Sequence, residues 1–352
     1  MAALAREAGP NGKLPTVQEL YRQLGTSPIT LDRALSVVER RGLIRRRRSV
    51  GIFASATVNS RTIGVVFGQD LFRSCQSPYW NLLLRRIEQT ELQRENRCRV
   101  YVEHPRRGAG GFHDEPVYGD LKAGALDGVL VANVFRFYDI EEMRSFAVPV
   151  VHHAVGPGGP GAVNLDYAEM IRLGVRALAE RGCRRIGLIA PEAVATDAAP
   201  GVFARAVAEA GLPYLPEWRW EHPMYDPIEA DAVRVAPEEL GVRAINAWLE
   251  RGSGPPAGRL PDGILMADDM MARGALVALS RAGVAIGRDV HVASQANKGS
   301  PALAGFEDCV TRIEFDPTEV ARAMVELLER TPEGGNPPPE GVTIEPRVVE
   351  CG

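Results

Sequence analysis

Two short helical patterns, separated by three or four residues and followed by four consecutive arginines, constrain the fold more than any other feature of this chain. Thr16 with Glu19 three residues later is a capping-box pattern. Val17, Leu20, Tyr21 and Leu24 recur at helical spacing and predict one apolar stripe. Gly25 follows, where a helix is readily closed by positive φ. Ser27 can cap a second helix whose first position suits Pro28. Leu31, Ala34, Leu35 and Val38 give that helix its inner face, and Gly42 ends it. The spacing predicts a helix-turn-helix. Next come Leu43-Ile44, then Arg45, Arg46, Arg47 and Arg48, then a short run through Gly51 to Phe53. A basic hairpin in that place predicts a wing beside a duplex.

The charge distribution points the same way. Residues 1–56 hold ten Lys+Arg against four Asp+Glu, a net of +6, while the whole chain is −4 and residues 57–352 therefore carry −10. A basic head on an acidic body localises a nucleic-acid face and excludes non-specific coating of DNA by the whole surface. The second helix would be the recognition helix, offering Ile29, Thr30, Asp32, Arg33 and Ser36 outward, with Arg40 further along. Thr16, Gln18, Ser27 and Gly51 complete the expected DNA-binding set, and Arg45, Arg46, Arg47 and Arg48 are expected to meet phosphates.

On these residues the head resembles the GntR winged-helix family. The resemblance rests on Leu14-Pro15-Thr16, Glu19-Leu20, Leu24-Gly25, Ser27, Thr30-Leu31, Ala34-Leu35 and Gly42-Leu43-Ile44. Members of that family often carry arginine where this chain has Gln18, Pro28 and Asp32, so those arginine roles do not transfer. Asp32 would be repelled by phosphate but can accept from a cytosine amino group. The stretch ahead of the loop Gly9-Pro10-Asn11-Gly12 is shorter than the family's leading helix.

From Thr62 the pattern changes to short apolar runs alternating with amphipathic stretches. Strands are expected at 62–67, 98–102, 127–131, 148–152, 185–190, 262–266 and 289–293. Helices are expected at 79–95, 167–181, 201–210, 238–250, 269–282 and 317–330. Such alternation predicts parallel sheets built from βαβ units. The fold class expected is therefore multidomain: a small α+β winged helix-turn-helix over 1–56, then an α/β body over 57–352 of two doubly wound parallel-sheet subdomains. These are expected to interleave, one over roughly 61–160 with part of 295–330, the other over 161–294 with the C-terminal strands at 342–344 and 347–349.

The body resembles the LacI/GalR effector domain, itself similar to periplasmic sugar-binding proteins. The motifs are Thr62-Ile63-Gly64-Val65-Val66, Asp127-Gly128-Val129-Leu130, Pro149-Val150-Val151, the segment from Arg181 to Ile189, and Asp262-Gly263-Ile264 through Asp269, Ala272 and Gly274. A GntR-type head on this body is similar to the arabinose-repressor arrangement. Ligands of open parallel sheets sit outside the carboxyl ends of the strands. Candidate effector-binding residues are accordingly Asp70, Arg73, Tyr79, Trp80, Phe135, Arg136, His152, Asp269, Gln295 and Asn297. Aromatic rings suit a sugar face, and planar polar groups suit its hydroxyls. Asp269 could instead cap its helix. The family's arginine ahead of the helix near 201 is missing from Thr196 to Phe203.

The resemblance implies a ligand-responsive repressor that binds double-stranded operator DNA as a homodimer, with a small sugar-like effector and no cofactor or metal. The alternative is a sugar-binding protein of transport, without a DNA role. Scattered cysteines with no CxxC pair, no apolar run of membrane-span length and no signal-peptide pattern point to a cytoplasmic protein without a membrane partner. The absence of a G-x-G-x-x-G after the first strand, a P-loop or a G-x-S-x-G elbow argues against an enzyme.

Overall fold

A computed structural model describes residues 1–67, 77–102, 116–133, 137–154, 159–192, 194–195, 201–222, 235–251, 255–332 and 337–351. The head holds α1 (Ala2–Ala8), α2 (Val17–Leu24) and α3 (Pro28–Arg40), then the hairpin β1 (Ile44–Arg47) and β2 (Gly51–Ala54). The capping box is complete: the Thr16 amide donates to Glu19 at 2.7 Å and the Glu19 amide to the Thr16 hydroxyl at 3.3 Å. Gly25 takes φ 57°, which turns the chain sharply enough for α3 to start three residues later. Leu31, Leu35 and Val38 of α3 are buried with Leu14, Leu20, Leu43, Ile44 and Ile52 in a core of the head's own. The stripe expected on α2 does not all face inward. Only Leu20 is buried, while Val17, Tyr21 and Leu24 are 52%, 45% and 45% exposed. An eight-residue helix packed against one neighbour has room for a single ridge in the core.

The body has two six-stranded sheets. The first runs in the order β13-β7-β6-β5-β3-β4, all parallel, from β3 (Thr62–Phe67), β4 (Arg97–Val102), β5 (Gly128–Asn133), β6 (Val150–Ala154), β7 (Ala162–Leu165) and β13 (Val342–Ile344). The second runs β14-β12-β11-β10-β8-β9, from β8 (Ile186–Pro191), β9 (Arg219–His222), β10 (Gly263–Met266), β11 (His291–Asn297), β12 (Val310–Phe315) and β14 (Arg347–Val349), with only β14 antiparallel. Helices α4 (Pro78–Gln93) and α11 (Pro317–Arg330) cover one face of the first sheet, and α5 (Pro116–Lys122) and α6 (Phe137–Arg144) the other. Helix α7 (Tyr167–Glu180) with α8 (Val202–Glu209) covers one face of the second sheet, and α9 (Pro237–Glu250) with α10 (Asp269–Arg281) the other. Near-continuous burial along β6, β7, β8 and β10 is what a parallel sheet covered on both faces requires.

The partition between lobes differs from the sequence expectation. Strand β7 lies in the first sheet, beyond the expected boundary at 160. Strands β11 and β12 both lie in the second sheet, so of 295–330 only α11 packs on the first. The closing strands are divided, β13 to the first sheet and β14 to the second. The chain therefore crosses between lobes three times: from β7 to α7, from β12 to α11, and from β13 to β14. The first two crossings leave the carboxyl ends of parallel strands, and so does the third. All three therefore set the carboxyl edges of the two sheets against each other.

Helices α9 and α10 cross at two glycines. A Cβ on Gly274 would land on the Glu238 carbonyl, and one on Gly241 on the Met271 carbonyl. The contact is backbone on backbone, so no side chain can give way. Gly274→Ala is expected to destabilise the body by about 3 kcal/mol or more through forced separation of the helices. Gly119→Ala in α5, where an added Cβ meets nothing within 4 Å, is expected to be neutral or slightly stabilising. Thermal unfolding of the two variants checks this; equal melting temperatures would contradict the packing.

Candidate DNA interface and effector cleft

The wing pairs Arg45 with Phe53, Arg46 with Ile52 and Arg47 with Gly51, with Ser49 at φ 61° and Gly51 at φ 138° in its turn. Its four arginines are not equivalent. Arg46 turns back onto the recognition helix: Nε to Glu39 at 2.7 Å, Nη1 to Asp32 at 2.8 Å and Nη2 to the Ser36 hydroxyl at 3.1 Å. Its backbone amide also donates to Glu39 at 3.0 Å. Partial burial alone would raise the Glu39 carboxyl, but the amide and guanidinium of Arg46 outweigh it and hold the group below its usual range. All three guanidinium nitrogens of Arg46 are thus bonded to α3, which turns this arginine toward the recognition helix while two of its five N–H donors are left over. Arg45 donates to Asn11 at 2.7 Å, Arg47 lies over the Phe53 ring at 5.7 Å, and Arg48 is exposed at the hairpin tip.

The other DNA-binding candidates lie on α2, α3 and their caps. Gln18, Ile29, Asp32 and Arg33 are exposed, and Ser36 is half-buried under Arg46. Thr16, Ser27 and Thr30 are exposed but occupied in capping: the Ser27 hydroxyl accepts from the Thr30 amide at 3.1 Å and lies 2.8 Å from the Thr30 hydroxyl. The head is tied to the first lobe through Asp127, whose side chain is 7% exposed. It accepts from Arg41 at 2.6 Å and Arg6 at 3.4 Å, and its other oxygen accepts from the Thr62 amide at 2.9 Å. Arg41 is the C-cap of α3, so the recognition helix is anchored directly to the sheet. In the sequence Asp127 stands only within a strand motif. A contact across 86 residues leaves no local signal.

At the carboxyl edge of the first sheet, Ser77 caps α4 and sets Tyr79 and Trp80 in its first turn. Tyr79 is buried, with its hydroxyl 2.8 Å from His153 Nε2. The Tyr79, Trp80 and His153 rings meet edge to face with centroids 4.9–5.8 Å apart. Burial pushes the Tyr79 hydroxyl well up, with Tyr167 adding to it, and burial followed by the charge of His152 takes His153 down to about 4. His152 does not join this cluster. Alternation along β6 turns it to the opposite face, where burial and then Arg144 lower it to about 4. Its neighbour His153 is the one that meets Tyr79 and Trp80.

At the facing edge of the second sheet lies a polar network. Asp269 accepts from Asn297 at 2.9 Å and from Ser300 at 3.3 Å. Gln295 accepts from the Asp269 amide at 3.2 Å and donates to Asn297 at 3.1 Å. The capping role belongs to Asp268, which accepts from the Met270 and Met271 amides, leaving the Asp269 side chain to Asn297 and Ser300. Burial, then the charge of Asp269, raises Asp268; burial also raises Asp269. The structure thus brings Asp269, Gln295 and Asn297 together and adds Ser300. Tyr167 at the start of α7 and Phe315 at the end of β12, with centroids 5.7 Å apart, lie at the crossings between the lobes. Asp70, Arg73, Phe135 and Arg136 lie outside the described residues. Among the described residues, no group of three or more His, Cys, Asp or Glu side chains could hold a metal ion, and no helix is long and apolar enough to cross a membrane.

A winged helix-turn-helix joined to a body of two parallel-sheet lobes is the arrangement of a DNA-binding head on a periplasmic-binding-protein-like domain. Residues 175–351 match the periplasmic binding protein-like domain and residues 3–54 the bacterial regulatory proteins of the gntR family. The chain belongs to the periplasmic binding protein-like family and carries a head that matches the gntR family. The fold is shared with a transcriptional regulator CelR in complex with cellobiose (20% identity, 96% of this chain and 100% of that one, TM-score 0.62). A LacI-type regulator from a Rhodococcus species is 22% identical over 82% of this chain and 97% of its own, at TM-score 0.61. A LacI-family regulator from Arthrobacter sp. in complex with lactose is 21% identical over 83% and 98%, at TM-score 0.59. No curated protein matches the chain.

The neutral His153 makes a pH prediction. A histidine held down to about 4 when folded, against about 6.5 unfolded, stabilises the fold above pH 6.5. That stability is lost as pH falls from 6.5 toward 4, because the unfolded chain takes up the proton first. The raised carboxylates of Asp268 and Asp269 act in the opposite sense but are common to both proteins compared. The stability difference between the natural chain and His153→Gln is expected to shrink by about 3 kcal/mol between pH 7 and pH 4. Urea melts across that range test it; a constant difference would mean that His153 is not buried neutral.

Proposed function

We propose that this protein is a repressor that binds operator DNA as a homodimer in the cytoplasm and is controlled by a carbohydrate held between the two lobes. The observation that carries the reading is the chemical contrast across the crevice: aromatic rings on the first lobe, and a linked carboxylate and amide cluster on the second. Trp80 would stack on a sugar face. Asp269 and Asn297 would exchange part of their mutual hydrogen bonding for bonds to hydroxyls. The cellobiose and lactose complexes of proteins with the same fold support a sugar over other solutes. Effector would favour one lobe arrangement. Through the Asp127 anchor that arrangement sets where each α3 lies, so operator affinity changes by the ratio of effector affinities in the two arrangements.

A panel of neutral mono- and disaccharides, starting with cellobiose and lactose, should contain one that raises the melting temperature in a concentration-dependent way. Trp80→Ala is expected to weaken that sugar at least about tenfold. The same sugar should change binding to DNA flanking the protein's own gene, in titrations at two salt concentrations. If no sugar moved either quantity, the carbohydrate reading would fail.

A further inference from the structure

The recognition helix carries a carboxylate where a DNA-facing surface would ordinarily avoid one. Asp32 lies in the second turn of α3, its side chain 72% exposed, one helical turn after Ile29, which is 69% exposed. Arg46 holds Asp32 through Oδ1 while bonding Glu39 and Ser36 further along the same stripe. Positions 32, 36 and 39 recur at helical spacing, so one wing arginine braces three successive turns of α3. This is a built arrangement: a guanidinium engaged at Nε, Nη1 and Nη2, spanning wing and helix.

Resting on the DNA-binding reading above, we propose that Asp32 is the specificity-determining residue of this head and selects cytosine. Arg46 is the positioning residue that makes a carboxylate tolerable there. An Asp32 pressed toward a duplex is repelled by phosphates and by the acceptor atoms N7 and O6 of guanine and O4 of thymine. Adenine offers an amino donor, but its N7 acceptor lies beside it. Cytosine alone presents an amino donor with no acceptor on its own major-groove edge. Arg46 neutralises the charge that would weaken binding to any sequence, and it fixes the carboxylate on the side of α3 shared with Ile29. Ile29, three residues earlier, then faces the neighbouring base and suits a thymine methyl group.

The test is selection of binding sites from a random-sequence duplex library by the full chain, compared with Asp32→Asn. The natural chain is expected to enrich sites with a cytosine at one fixed position in each half-site. Asp32→Asn, at an exposed position, should fold normally and lose that preference about tenfold. Because an amide both donates and accepts, preference should shift toward adenine there, with the other positions unchanged. Arg46→Met is expected to weaken binding to all sequences, and Asp32→Asn in the same chain to recover most of the loss. Identical sites for the natural chain and Asp32→Asn would overturn the assignment while leaving DNA binding intact. Enrichment of no sequence by the natural chain would instead remove the DNA-binding reading, and this one with it.

Discussion

The body depends on three chain crossings made at the carboxyl edges of its sheets. Each lobe alone is an open parallel sheet, whose helix-covered faces leave its carboxyl edge as the place for polar side chains. The crossings at Leu165 to Tyr167, Phe315 to Pro317 and Ile344 to Arg347 force these edges to confront each other. Asp166 and Asp316 sit in the first two crossings and cap the helices that follow, so each linker ends in a fixed helix start. Lys298, next to the polar cluster of the second lobe, reaches the second crossing through Asp316 at 2.9 Å. The polar cluster of the second lobe and the chain crossing at Asp316 are thus close neighbours.

A second dependence links the head to this body. Asp127 stands at the amino end of β5, the edge opposite the crevice, and receives Arg41 from the end of α3. A nearly buried carboxylate holding two arginines is costly to strip of a partner, so the head is not merely tethered. The sheet itself lies between the crevice at one edge and the recognition helix at the other.

Much of this was legible in the sequence because the relevant signals are local. Thr16 with Glu19, Gly25, and Ser27 with Pro28 fix helix ends by hydrogen bonds within three residues, and each recurs in the structure. The apolar runs of β3, β5 and β8 are recognisable because strands covered on both faces need no alternation. Strand β12 was not legible: Arg312 and Glu314 pair with each other at 3.3 Å on one face, so a buried strand reads as a charged segment. Of the candidate site, Tyr79 with Trp80, and Asp269 with Gln295 and Asn297, were singled out from their places at strand and helix ends, and the structure brings each group together. Ser300 and Asp127 were not, because nothing near them in the chain points to their partners.

The sequence by itself determined the division into a basic head and an acidic body, the helix-turn-helix and the alternating parallel units. These follow from spacing, capping and charge, which act over a few residues. Only the tertiary structure decided that His153 rather than His152 meets Tyr79, that Asp268 rather than Asp269 caps α10, and that Arg46 serves the recognition helix instead of standing free. Each of those outcomes turns on the direction of one side chain. That direction is set by which face of a strand or helix is covered by an element far away in the chain, and no local pattern carries it.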